Sequence, residues 1–203
     1  NELLISRNLH LSFSENDIKA SNVYIITVPT PVNKNNIPNF TTHSFRLRPR
    51  EYFYPASTTK FPIAVLALEK ANQNSKINPY SRLEVLTEKP KLNGVVRDLS
   101  SESRYPSLAH YIRKLFVVSD NAANNRLYEF LGRDHINKRI WYLGYEKTRI
   151  RHRLSIVLDE ELNRYTNPFV FYDNDRIVYE QPSQIARVEL DYSFDNHLIG
   201  SYH

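Results

Sequence analysis

Ser57 and Lys60 stand three residues apart in Tyr54-Pro-Ala-Ser-Thr-Thr-Lys60, directly ahead of the apolar run Phe61-Pro-Ile-Ala-Val-Leu-Ala-Leu68. A serine hydroxyl is a weak nucleophile at neutral pH and needs a base to take its proton. A lysine three residues further along a helix shares the serine's face and comes within reach, provided burial and hydrogen bonds hold it between cationic and neutral states. The spacing alone is common on surface helices, where serine caps and lysine is solvated. A second element adds weight. Ser119-Asp120-Asn121 follows the apolar segment 108–118 and opens another, 122–131, which stops at Gly132. Each of those three residues is also a good helix cap. Set beside Ser57 and Lys60, however, they bring a second hydroxyl and a carboxamide to the same chemistry.

The pair Ser-x-x-Lys and Ser-Asp-Asn resembles the motif set of class A β-lactamases and penicillin-binding proteins. A third likeness follows in order: Arg153-Leu154 and then Asp159-Glu-Glu-Leu-Asn163 resemble the family's Ω-loop motif. The resemblance runs from about Tyr54 to Asn163 and implies Ser57 as nucleophile and Lys60 as base, held by Ser57, Ser119 and Asn121. It also implies that Ser119 passes a proton to the leaving nitrogen, and that Asn121 binds a substrate amide. Tyr105, ahead of Pro106, resembles the family's aromatic residue at the cleft mouth, although tyrosine is abundant in this chain and packs as readily elsewhere. Asp120 is expected to pin its loop through backbone N–H groups.

The likeness weakens in two places. In the family a glutamate activates the water that releases the acyl group. Here the position four before Asn163 is Asp159, about one methylene shorter, with Glu160 as the neighbouring alternative. General-base catalysis depends steeply on reach, so slow deacylation is expected. The family's third motif, Lys-Thr-Gly, has no counterpart either; Lys147-Thr148-Arg149 lacks the glycine. The expectation is a chain truncated before that strand. The absence of any methionine similarly suggests a start inside a longer precursor.

Composition narrows the remaining classes. The chain has 203 residues, 41% of them hydrophobic, as suits a folded globular protein. With no cysteine, disulfides, thiol catalysis and cysteine-based zinc sites are excluded. The seven histidines show no metal-ligand spacing, and no metal or organic cofactor is implied. The net charge of +5 is spread along the chain, densest at Arg149-Ile-Arg-His-Arg153. Without aromatic interleaving that cluster reads as a solvated face, with Arg153 supporting the loop, and no nucleic-acid partner is expected. No stretch is long and apolar enough for a transmembrane helix. A periplasmic or cell-surface location follows from the family likeness alone.

The elements that must position these residues follow from apolar period. Residues 22–28 and 43–48 read as strands joined by a long loop, with 72–103 as loop and the rest of 57–144 as helices. Pro62 restricts the helix start, because proline is comfortable only in the first turn. The helix is therefore predicted to begin near Thr58 or Thr59, with Ser57 at its edge or in a 3₁₀ turn. Residues 169–172 and 176–179 flank Asp173-Asn-Asp175 as a β-hairpin. The expected organisation is 1–56 as an amino-terminal segment with the first strands, 57–168 as the helical catalytic region, and 169–203 as hairpin and tail. The fold class is α+β, a helical region packed on an antiparallel sheet. The expected function is hydrolysis of an amide or β-lactam bond in a small-molecule or peptide substrate through an acyl-enzyme on Ser57. Alternatives are a penicillin-binding peptidase-like activity, a glutaminase-like amidase, or a binding domain that keeps the fold without chemistry.

Overall fold

A computed structural model of the chain describes residues 54–190. The strands predicted at 22–28 and 43–48 lie outside the described residues. A 3₁₀ turn, Ala56–Thr59, leads into α1, Lys60–Asn72. Pro62 is thus the third residue of α1, where its missing N–H has no intrahelical acceptor to leave unpaired. Lys60, Ile63, Ala64, Ala67 and Ala71 fall on one buried stripe of α1, so the lysine shares the apolar face.

Helix α2 spans Leu108–Val118, and Ser107 caps it by accepting from the His110 N–H. It ends at Ser119, whose backbone is left-handed (φ 53). Asp120 then caps α3, Asn121–Leu131, by accepting from the Ala123 N–H. Gly132 separates α3 from α4, Arg133–Tyr142, at φ +78, a conformation that glycine adopts without steric cost. Helix α3 is the centre of the helical layer, packing against α1, α2 and α4. A short fifth helix, α5, Glu160–Arg164, is capped by Asp159.

The sheet is antiparallel in the order β1 (Leu83–Val85), β3 (Phe169–Asp173), β4 (Arg176–Gln181), and a separate pair joins β2 (Tyr165–Thr166) to β5 (Gln184–Ile185). Register sets Glu84 opposite Val170 and Phe171 opposite Tyr179. The hairpin predicted across Asp173-Asn-Asp175 is β3–β4, and Asn174 takes the left-handed turn conformation (φ 52). The region 57–144 is not purely helices and loops: β1 runs through the segment expected to be loop. Three residues are too few to display a period of two, and β1 exists because β3 pairs with it. Gly94 allows the adjacent backbone to bridge to β1, since a Cβ there would collide with the Val85 carbonyl.

Sheet and helices share one core. Phe130 of α3 meets Phe169 and Phe171 of β3, with ring centroids 5.8 and 5.7 Å away, and all three rings are buried. Burying a phenylalanine contributes about 1.5–3 kcal/mol, so this cluster is a principal tie between the two layers.

Candidate active site

Lys60, Ser57 and Ser119 form one hydrogen-bonded group. Lys60 Nζ donates to Ser57 Oγ at 3.2 Å, to the Ser119 carbonyl at 2.6 Å and to Ser119 Oγ at 2.9 Å. Ser119 Oγ donates in turn to Ser57 Oγ at 3.4 Å. An ammonium has three N–H donors, and all three are accounted for. Both hydroxyls are exposed, while Lys60 beneath them is only 4% exposed. The amine is therefore out of bulk water and the two oxygens face it.

Local backbone explains this arrangement. The 3₁₀ turn followed by α1 sets Ser57 three residues ahead of Lys60, over the start of the buried stripe. The left-handed backbone of Ser119 directs its carbonyl and its hydroxyl toward the same ammonium. A serine in that conformation costs roughly 1–2 kcal/mol, and such strain persists where surrounding contacts fix it. Here the contacts are Lys60 on one side and the cap of α3 on the other.

Burial lowers the Lys60 pKa below its ordinary value, and the nearby Asp120 carboxylate partly opposes the shift. Asp120 has its own engagements: Oδ1 accepts from the Ala123 N–H at 2.9 Å and Oδ2 pairs with Lys114 at 3.2 Å. Burial raises its pKa, but these backbone and lysine contacts outweigh burial and hold it below the usual carboxylate range. Asp120 thus pins the helix start and contributes negative charge near Lys60.

Asn121 is at the first position of α3, two residues from Ser119. Its Nδ2 donates to Ser155 Oγ at 2.6 Å. In place of the expected hydrogen bond from Lys60 to Asn121, Lys60 donates to the Ser119 carbonyl. Asp159 and Glu160, the two carboxylates singled out as bases, have structural engagements. Asp159 Oδ1 accepts from the Leu162 N–H at 2.8 Å as the α5 cap, and Glu160 Oε1 accepts from Arg133 Nη1 at 2.7 Å. Glu160 also lines a cleft of about 290 Å³ with Arg151, His152 and Val157. The loop residue that meets the Ser-Asp-Asn element is Ser155.

Tyr105 is placed elsewhere. It precedes the amino terminus of α2 whereas Ser119 follows its carboxy terminus, and the 11 residues between span about 16 Å. Its ring lies between the guanidinium groups of Arg82 and Arg97, at 4.3 and 4.9 Å from its centroid. Tyr105 therefore packs against Arg82, the residue that precedes β1.

Arg153, set apart from the rest of its basic cluster as a support for the loop, is buried. It is 3% exposed, and its guanidinium donates to Glu129 Oε1 at 2.8 Å, the Tyr165 carbonyl at 2.8 Å and the Leu162 carbonyl at 3.0 Å. Glu129, 2% exposed, escaped sequence reading. Its signal was a carboxylate inside the apolar pattern of Leu127, Phe130 and Leu131, which demands a buried cation. Among the described residues no cluster of three or more histidine, aspartate or glutamate side chains is arranged to hold a metal ion, and no helix is long and apolar enough to cross a membrane.

The chain matches the model of a family described as the β-lactamase enzyme family over residues 33–181, well over half its length. No curated protein matches it.

Proposed function

Because the chain belongs to the β-lactamase enzyme family, we propose that it is a β-lactamase-type serine hydrolase that cleaves an amide or β-lactam bond through an acyl-enzyme on Ser57. The observation that carries this assignment is the buried Lys60 amine, within hydrogen-bond reach of two exposed hydroxyls. Neutral Lys60 accepts the Ser57 proton as Oγ attacks the carbonyl carbon. The bond to nitrogen then breaks, and the proton passes from Lys60 through Ser119 to the departing nitrogen. Water attacks the resulting ester, gives its proton to Lys60, and Ser57 Oγ leaves and is reprotonated. Backbone N–H groups at the start of the 3₁₀ turn, including that of Ser57, serve the developing oxyanion.

A penicillin-binding, peptidase-like outcome is favoured within this scheme by one specific observation. Asp159 and Glu160 have the engagements described above, and among the described residues Lys60 is the titratable group hydrogen-bonded to the two hydroxyls. Without a carboxylate beside the ester to activate water, release is expected to be slower than acylation. The substrate class remains a small-molecule or peptide amide or lactam.

Pre-steady-state turnover of a chromogenic cephalosporin tests the proposal. A burst of about one equivalent followed by slow release is expected. Linear turnover without a burst would contradict an accumulating acyl-enzyme, and no reaction with any lactam or fluorophosphonate would leave the non-catalytic binding domain as the better account.

A further inference from the structure

Asn121, Asn125 and Glu129 recur every four residues along α3 and so form a row on one face of the helix. The row holds three consecutive loop residues in reverse order. Glu129 Oε1 accepts from Arg153 Nη2 at 2.8 Å. Asn125 clamps the Leu154 peptide from both ends: its Oδ1 accepts from the Leu154 N–H at 2.7 Å and its Nδ2 donates to the Leu154 carbonyl at 2.9 Å. Asn121 Nδ2 donates to Ser155 Oγ at 2.6 Å. The innermost rung is a buried charge pair, the middle one is half-buried, and the outermost opens to solvent beside Ser119.

Ser155 is left-handed (φ 53), an unfavourable backbone for serine. The clamp on the preceding peptide holds it there, and the reward is the bond to Asn121. A carboxamide carries two N–H donors and an acceptor oxygen. Ser155 takes one donor, and among the described residues no other partner takes the second N–H or Oδ1 of Asn121.

We propose that Ser155 is a positioning residue for the reaction at Ser57: it fixes the rotation of the Asn121 carboxamide, whose remaining donor and acceptor then meet the substrate ready-oriented. The proposal rests on the acyl-enzyme reading above. Preorganised polar groups speed a reaction by removing the need to orient them during it. A freely turning Asn121 slows acylation without unfolding the protein.

Three variants separate this role from a merely structural one. Ser155→Gly relieves the left-handed strain and deletes the hydroxyl; Ser155→Ala deletes the hydroxyl alone. Ser155→Asn tolerates the backbone and restores an acceptor oxygen. Acylation of Ser57 by a fluorescent penicillin is expected to slow about tenfold in the glycine and alanine variants and to return to within about threefold in the asparagine variant. Thermal stability of the glycine variant should match or exceed that of the parent. In parallel, the ¹H–¹⁵N resonances of the Asn121 side-chain amide should move in Ser155→Gly while those of Asn125 stay. Parental labelling rates in all three variants, or an asparagine variant as slow as the glycine one, overturn the proposal. If the parent itself is not labelled, the acyl-enzyme reading fails, and the amide spectrum alone decides whether Ser155 fixes Asn121: unmoved Asn121 resonances overturn that too.

Discussion

Lys60 Nζ binds Ser119 twice, at the carbonyl (2.6 Å) and at the hydroxyl (2.9 Å), joining the first turn of α1 to the left-handed residue that ends α2. The same contact orients a base and fixes the junction of two helices. Local backbone strain, burial and chemistry therefore meet at one pair of residues.

The reactive form of Lys60 is the neutral amine, and burial lowers its pKa from the ordinary lysine value. The acylation rate should accordingly rise with pH and level off, with its inflection on the acid side of free lysine. Asp120→Asn removes the opposing negative charge and should move the inflection further toward acid. A pH profile of Ser57 labelling in both proteins measures this; an unmoved inflection would remove Asp120 from the electrostatics of the site.

Arg153 and Glu129 are a buried charge pair, each 3% exposed or less, and Glu129 Oε2 also accepts from Arg126 Nη1 at 2.8 Å. Glu129→Met alone leaves the Arg153 and Arg126 guanidinium groups without their shared carboxylate, and about 3–5 kcal/mol of stability should be lost. Replacing both Arg153 and Glu129 by methionine should cost much less than the sum of the two single changes. Denaturant melts of the four proteins in this cycle provide the measurement, and additive losses would contradict the pair.

Lys70 is half-buried, donating to the Phe130 carbonyl and to Gln181 Oε1, and desolvation pushes its pKa down to about 8. In the unfolded chain it titrates near 10.4. Between these values the unfolded state binds more protons, so this group adds stability as pH rises from about 8 toward 10.4. The gain is on the order of 2 kcal/mol. Tyr111 and Tyr128, whose pKa values burial raises, act in the opposite sense at the alkaline end. The test is therefore the difference in unfolding free energy between parent and Lys70→Met across pH 8–10. A difference independent of pH would show that Lys70 does not titrate in that window.

Asp159 acts as a helix cap in the structure. Asp159→Asn should change stability by a few tenths of a kcal/mol, Asp159→Ala by about 1 kcal/mol, and neither should lengthen the life of an acyl adduct. Intact-mass measurement of adduct decay distinguishes this from a base, whose removal would trap the adduct.

Much of the local structure was legible in the sequence. Pro62 forced the 3₁₀ entry that presents Ser57, and Ser107, Asp120 and Gly132 punctuated helices close to where they begin and end. The hairpin at 169–179 was announced by its Asp-Asn-Asp turn. Long-range pairings were not legible. Strand β1 has three residues and acquires its identity from β3, more than eighty positions along the chain. The α3 row escaped notice because its partners lie 24 to 34 positions away, although polar residues at four-residue spacing on a buried helix were a visible hint. The contacts of Tyr105 with Arg82 and Arg97 were likewise invisible, because nothing local marks a tyrosine that stacks on distant guanidinium groups. For Lys60, three residues from Ser57, local spacing sufficed; for its bond to Ser119, 59 positions away, only the fold could supply the contact.

The most direct test is peptide mapping by mass spectrometry after reaction with a penicillin or a fluorophosphonate, on the parent protein and on Lys60→Met. The account predicts a single adduct on Ser57 in the parent, formed about 10²–10⁴ times more slowly in the variant. An adduct on another residue, or equal labelling of Ser57 in both proteins, would contradict it.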